Sequence, residues 1–251
     1  MGDDVMTNEA EIPLLGGFLT EGVVRVADTV RRPAKASSRF VAQLLGLLES
    51  RGVTWAPRYL GQDELGREVF TFIAGSVPAK WDPLLDWQLE AAARLLRQFH
   101  DATRGSELAG GRTLVCHHDP SPSNTVFDAA QRPIAFIDFD LAAPGEPLED
   151  LGYLAWSWCV SSKPGRPTVA AQAAQVRLVA DSYGLAADSR SGLVDAMLER
   201  LARNRAFWIE QLALAQTTRS TPEKMRERVL WSEREFAFIT ANHARFAAAL
   251  R

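Results

Sequence analysis

Cysteine is scarce in this sequence: the 251 residues include two, Cys116 and Cys159. Both stand in apolar surroundings, which reads as buried thiols in a reducing compartment and excludes a disulfide framework. Long hydrophobic runs are missing as well. No uninterrupted apolar stretch approaches the ~18 residues needed to span a bilayer. Nor is there an excess of one charge: 28 Lys and Arg stand against 31 Asp and Glu, a net charge of −3. The charges are scattered, so no broad cationic face for nucleic acid is expected. The stretch MGDDVMTNEAEIP is acidic and has no basic region leading into an apolar core, so it does not read as a secretory signal. Together these absences predict a cytoplasmic protein.

What is present is an ordinary globular mixture, 47% hydrophobic and 24% charged, enough for one large domain or two lobes. The first 75 residues read as mixed α and β. Val23–Val26 and Thr29–Arg31 are short β-branched runs around a turn at Ala27–Asp28, and Pro33 ends the second; a hairpin is predicted. Phe40, Val41, Leu44, Leu45 and Leu48 fall at helical spacing, with Ser37 and Ser38 as cap candidates and Gly52 as a stop. RYLGQDELGREVFTFIAG then reads as strand, turn and strand, which completes a ββαββ order before the connector AGSVP. Helical character dominates afterwards. Leu85, Leu89, Ala92, Leu96 and Phe99 line one face over 84–102, and helices are expected near 148–160, 168–183, 190–215 and 222–250. The division implies a small β-rich lobe, residues 1–74, and a larger helical one, 75–251, with a crevice between them as a common kind of ligand site.

Between two apolar runs stands LVCHHDPSPSNTVF, residues 114–127. Taken alone, such a Ser, Pro and Asn cluster reads as a turn. Its His117, Asp119 and Asn124 are spaced H-x-D-x-x-x-x-N, and Asp138 follows at the end of the apolar run PIAFID. A carboxylate and a carboxamide oxygen leaving adjacent strand ends suit Mg²⁺, which takes few protein ligands besides phosphate oxygens. Asp119 can then orient a hydroxyl and accept its proton during phosphoryl transfer. Zinc fits less well: adjacent residues on an extended segment point to opposite faces, so His117 and His118 do not easily share an ion. The DFD of residues 138–140 is similar to the D-x-D of metal-dependent glycosyltransferases and to the aspartates of dehalogenase-like phosphatases, but neither accounts for the asparagine block. Asp140 stays open between ligand, substrate contact and cap.

HHDPSPSN followed by FIDFDLAAPGEPLEDLGY resembles the two signature blocks of the aminoglycoside phosphotransferase/choline kinase family, relatives of the protein kinases. That family typically has H-G-D-x-x-x-x-N and then I-D-[WF]-x-x-A-x-x-G-[DE]-P-x-x-D-L-A. The second block runs here through Ile137, Asp138, Phe139, Ala142, Gly145, Glu146, Pro147, Asp150 and Leu151. The resemblance implies a bilobal, protein-kinase-like α+β fold and a cytoplasmic, Mg²⁺-dependent phosphotransferase. Its donor would be ATP or GTP, and its acceptor a hydroxyl of a small molecule, such as an aminoglycoside-like antibiotic or a related metabolite. By the same resemblance Asp119 is the catalytic base, Asn124 and Asp138 are the metal ligands, His117 braces the loop, and Asp150 is structural. Backbone groups of the connector, Phe72 to Ala74, would hold the base.

The first lobe departs from the family pattern. A phosphate-pairing lysine is expected on the third strand, with a glutamate on the next helix to hold it. DTVRRP offers Arg31 (or Arg32) instead, able to grip phosphate bidentately, and SSRFVAQLLGLLES has no glutamate near Val41–Gln43. Gly16 and Gly17 could form a phosphate-covering turn. The missing pair motivates an alternative, a non-catalytic kinase-like protein that binds nucleotide or metabolite. Acidic residues of the late helices, Asp195, Glu199 and Glu210, fit either a cationic acceptor or a solvated face. His100 and His243 read as helix-face histidines, and Trp55, Trp81 and Trp87 as packing.

Overall fold

The computed structural model describes residues 10–14, 21–78, 83–214 and 220–251; Gly16, Gly17 and Trp81 lie outside them. The amino-terminal region holds β1 (Ile12–Pro13), β2 (Val24–Val26), β3 (Thr29–Arg32), α1 (Ser38–Ser50), β4 (Tyr59–Gln62) and β5 (Glu68–Thr71). The strands form one antiparallel sheet in the order β1-β2-β3-β5-β4. The predicted hairpin turns at Ala27, which takes φ 50°. Period-2 alternation along β3 sends Arg31 and Arg32 to opposite faces, and its register with β5 sets Arg32 opposite Glu68. α1 buries Val41, Leu44, Leu45 and Leu48, the apolar stripe of an amphipathic helix. Ser37 occupies the cap position without a side-chain cap bond, and Ser38 Oγ accepts the Lys35 N–H at 2.8 Å.

The connector is fastened to a strand of the larger lobe. Ser76 and Phe127 exchange two backbone hydrogen bonds of 2.8 Å. Gly75 allows this approach: a Cβ there would lie 2.5 Å from the Phe127 carbonyl oxygen.

The helical region contains α2 (Asp86–Thr103), α3 (Pro147–Cys159), α4 (Val169–Tyr183), α5 (Leu193–Leu214), α6 (Pro222–Ala241) and α7 (His243–Ala249). The helix expected over 222–250 is therefore two. Asn242 divides them: its amide donates to Phe238 O at 2.9 Å, and its carbonyl accepts the N–H of Arg245. An asparagine that bonds backbone locally offers the chain an alternative to helix. α3 runs through the core, buried continuously from Asp150 to Cys159. It packs against α5 at Gly152, where a Cβ would meet the Ala196 carbonyl carbon at 2.7 Å. Phe99, Phe136, Phe139, Leu154 and Trp156 belong to the same core. No described helix is long and apolar enough to cross a membrane.

Two short ribbons complete the chain between α2 and α3. β6 (Leu114–Cys116) pairs with β9 (Ala143–Gly145), and β7 (Thr125–Phe127) pairs with β8 (Pro133–Phe136). Both sequence-predicted apolar runs of this region are thus strands, and the loop between them is held at both ends.

Candidate active site

Residues 117–124 span the gap from β6 to β7, and backbone bonds set their level. The Ile137 N–H donates to Asn124 O at 2.9 Å, which brings Asn124 beside Asp138 at the end of β8. The Asn124 amide donates to the Asp119 carbonyl at 3.2 Å, leaving its own side-chain oxygen available as a ligand. His117 is fully enclosed. Its Nε2 donates to Ile137 O at 3.2 Å, and its Nδ1 accepts the Asp119 N–H at 3.3 Å, the tautomer being assigned from these partners. Burial, the largest influence, lowers its pKa despite Asp150 and Asp119 nearby, so a neutral ring braces the loop.

His118 has φ 61°, a left-handed conformation where the family pattern has glycine. Its ring is tied down on both sides, Nδ1 at 3.1 Å from Leu141 O and Nε2 at 3.3 Å from Glu149 Oε2. The two histidines thus serve different partners and do not form a shared metal site. Asp150, at the first turn of α3, collects three donors: the N–H groups of His117 and His118 at 2.6 and 2.7 Å, and His100 Nε2 at 3.0 Å. Burial would raise its pKa, but His100 and the other histidines outweigh that and lower it. His100 is a core residue, its Nδ1 2.7 Å from the Tyr183 hydroxyl.

Asp119 stands at the open side of this loop, and its Oδ1 is buried with no hydrogen-bond partner among the described residues. The Tyr153 hydroxyl interacts with both Asp119 and Arg200; burial first and then Asp119 drive the tyrosine pKa far up. Asp138 has φ 64° and is 49% accessible, opening into the crevice. The protein packed around one side of the carboxyl, then the charges of Asp140 and Asp119, push its pKa up to about 6 against the pull of Lys35 and Arg32. Asp140 is held by Arg32 Nη2 at 2.7 Å and Lys35 Nζ at 2.5 Å, and these cations, overcoming its burial, lower its pKa.

Of the two arginines offered for the phosphate side, Arg31 does not face the crevice carboxylates. Arg31 turns to the other face of the sheet, 3.6 Å from Asp63, because β3 alternates. Arg32 faces the carboxylates instead: Nη1 lies 3.8 Å from Asp138, while Nε donates to Glu68 Oε2 at 3.1 Å. Burial lowers its pKa less than Asp140, Glu68 and Asp138 raise it. The partner glutamate, absent from α1, is supplied by β5. Glu68 and Lys35 were not singled out in the sequence; strand register is the signal that pairs Glu68 with Arg32, and it is not written in DTVRRP. Phe72 lies under the Arg25 guanidinium at 3.9 Å, its N–H donating to Asp28 O, and Ala74 is exposed in the connector. Asp195 pairs with His243 at 3.1 Å, Glu199 with Arg203, and Glu210 is exposed. Trp55 packs edge-on to Phe136, and Trp87 lies under Arg132.

The model of the phosphotransferase enzyme family matches residues 102–179, the segment that holds Asp119, Asn124, Asp138 and Asp150. The trifolitoxin immunity protein of Rhizobium leguminosarum bv. trifolii is 30% identical over 246 residues, 88% of this chain and 90% of that protein. Among solved structures, a choline/ethanolamine kinase family protein from Mesorhizobium loti aligns with TM-score 0.60 at 16% identity, covering 99% of this chain and 94% of that one. Spectinomycin phosphotransferase, solved with ADP and spectinomycin, aligns with TM-score 0.62 at 12% identity, covering 94% and 93%. A choline kinase from Streptococcus pneumoniae gives 0.55 at 11%, over 86% and 89%. The fold is the bilobal, protein-kinase-like one, a β-rich region with a larger helical one. Similarity that runs nearly end to end with one relative, together with the family model on the segment bearing the site, establishes that this chain belongs to the phosphotransferase enzyme family.

Proposed function

We propose that this protein is a Mg²⁺-dependent phosphotransferase that moves the terminal phosphoryl group of ATP or GTP to a hydroxyl of a small molecule. The observation that carries the reading is Asp119: its Oδ1 is buried with no hydrogen-bond partner among the described residues, on a loop whose other end sets Asn124 beside Asp138. Asp119 would accept a hydrogen bond from the acceptor hydroxyl and orient it. As the hydroxyl oxygen bonds to the terminal phosphorus, the bridging P–O bond breaks, the nucleoside diphosphate leaves, and Asp119 takes the proton. Asn124 and Asp138 offer one carboxamide oxygen and one accessible carboxylate, a donor set that fits a hard cation with room for phosphate oxygens. Mg²⁺ bound there would neutralise charge on the phosphates. Arg32, fixed by Glu68, would steady the phosphates from the sheet side, and the Phe72–Ala74 backbone would hold the base. The small first lobe and helical second lobe, divided near residue 74, would close on the nucleotide.

The non-catalytic alternative rests on the missing lysine and glutamate, and the Arg32–Glu68 pair supports catalysis over it. Phosphorylation of a toxic small molecule would also give the kind of protection named for the Rhizobium relative. Calorimetric titration with ATP, GTP and Mg²⁺, followed by acceptor-dependent nucleoside diphosphate release, tests the proposal. Asp119→Asn is expected to keep metal–nucleotide binding and lose turnover by roughly 10²–10⁴-fold, the usual worth of a positioned general base. Absence of metal-dependent nucleotide binding would sink the phosphotransfer reading.

A further inference from the structure

Among the described residues, the helical side of Asp119 is basic and aromatic. α5 brings Arg200, whose guanidinium lies 4.2 Å above the Tyr153 ring and whose Nε is buried with no hydrogen-bond partner among the described residues. α6 brings Arg228, 5.8 Å from the ring centres of both Trp208 and Trp231. Tyr153 and Trp156 stack at 5.3 Å, and Trp156 meets Trp231 at 5.2 Å, so the cations stand on a continuous aromatic wall. Burial lowers the pKa of Arg228, and Tyr153, Asp119 and Glu227 nearby do not offset it. These arginines are additional to the phosphate-side cations, since Arg32 and Lys35 enter from the sheet and are engaged by Asp138 and Asp140.

A small groove adjoins this wall, lined by Pro122 of the Asp119 loop, Ser157, Trp231, Lys163 and Arg166. Its remaining lining residues are neutral, so its titratable groups are cations and one cysteine. Glu227 of α6 also acts on Arg228 and is exposed, whereas three other carboxylates of α5 and α6 have partners of their own. Glu235 accepts from the Ser162 N–H and hydroxyl, and Asp195 and Glu199 pair with His243 and Arg203. A hydroxylated cation brought to Asp119 would face Arg200 and Arg228, with Asp119 and the exposed Glu227 as the counter-charges that act there. A hydroxylated anion would meet donors in the fork geometry that suits carboxylate or phosphate oxygens.

Building on the phosphotransferase reading, we infer that the acceptor is a small organic anion, a hydroxylated carboxylate or phosphate, whose charged group is bound by Arg200 and Arg228 while its hydroxyl meets Asp119. Selection would then be a difference of affinities in which the arginines repel amines as well as attract anions. A cation flanking the hydroxyl, as choline would present, is disfavoured.

Two matched sets test this, each one skeleton with three charges: para-hydroxyphenylacetate, tyrosol and tyramine, and gamma-hydroxybutyrate, butanediol and aminobutanol. Binding to the full chain is read by calorimetry with and without Mg²⁺–nucleotide, so the acceptor result stands whether or not nucleotide binds. In at least one set the anion is expected to bind roughly 10-fold or more tighter than the amine, a difference typical of one desolvated charge contact. Arg228→Gln and Arg200→Gln should collapse that preference, and Arg228→Lys should retain most of it, with melting temperatures checking that each variant folds. If turnover is observed, the loss should fall on acceptor KM more than on kcat. Equal or tighter binding of the amines, no millimolar binding of any anion, or an unchanged anion-to-amine ratio in folded Gln variants would each overturn the inference. So would an equal loss of kcat with every acceptor, which would assign the arginines to the transferring phosphoryl group.

Discussion

At position 118 a histidine occupies the left-handed backbone conformation that glycine fills in the family pattern, and two ring contacts hold it there. The conformation costs a non-glycine residue about 1–2 kcal/mol, and the contacts offset it. His118→Ala keeps the strain and loses the contacts, whereas His118→Gly loses both, so alanine should be the more destabilising by about 0.5–1 kcal/mol in chemical denaturation. Glycine equal to or worse than alanine would contradict this account. Asp150 works on the same loop from below. Its folded pKa is depressed, so the stability it contributes is complete above the ordinary carboxylate range and is lost as pH falls through the folded value. Asp150→Asn keeps one acceptor oxygen but turns the other into a donor facing the N–H groups of His117, His118 or His100, and should cost about 2–4 kcal/mol at neutral pH. The gap to the native protein should narrow as melts are repeated from about pH 5 downward; a gap independent of pH would exclude the carboxylate's charge as the cause. The candidate residues Asp119, Asn124 and Asp138 could be proposed from sequence because one loop and one strand end carry them. Arg200 and Arg228 could not, because only the α3, α5 and α6 packing brings them toward Asp119.

Elements were legible where one face is buried. The apolar spacing in α1 marked the four side chains that the helix encloses, and the β-branched runs marked β2 and β3. Legibility failed where a polar residue acts on the backbone: nothing in the apolar spacing of 222–250 separates α6 from α7, and Asn242 does so by local bonding. The α3–α5 contact depends similarly on one missing atom. At Gly152 the facing groups are the carbonyl carbon and oxygen of Ala196, which cannot rotate away, so added volume must push the helices apart. Alanine in a helix interior gains about 1 kcal/mol of propensity, while overpacking costs about 1–3 kcal/mol. Gly152→Ala should therefore lower the melting temperature by a few degrees. Because α3 carries Asp150 and Tyr153 and α5 carries Arg200, acceptor affinity should fall with it. An unchanged or raised melting temperature would mean that the helices separate freely.

Across the whole molecule, the sheet and the helical lobe meet through ions. Arg32 and Lys35 reach Asp140 and Asp138 from the far side of the crevice, and Glu68 fixes Arg32 from behind. The sequence could not assign this role to Arg32 over Arg31, since a one-residue shift in register exchanges the faces of a strand. Glu68 is 0% exposed, and Arg32 is its hydrogen-bond and ion-pair partner in the described residues. Arg32→Gln leaves that carboxylate buried without a cation and should cost about 3–5 kcal/mol. Glu68→Gln leaves Arg32 its contacts with Asp140 and should cost less. The double variant removes the stranded charge, so it should be more stable than Arg32→Gln alone, although two charged groups have been deleted. Nucleotide affinity should follow the other order. On the proposed reading Glu68 would act on phosphate through the position of Arg32, so Glu68→Gln should weaken Mg²⁺–nucleotide binding moderately, Arg32→Gln should weaken it strongly, and the double variant should resemble Arg32→Gln. Urea denaturation and calorimetric titration of the four proteins give both cycles. Recovery of stability without recovery of affinity would mark Arg32 as the phosphate-side cation and Glu68 as its positioning partner. Additive losses in both measurements would show the two residues acting independently, and the crevice would then need another cation for the nucleotide.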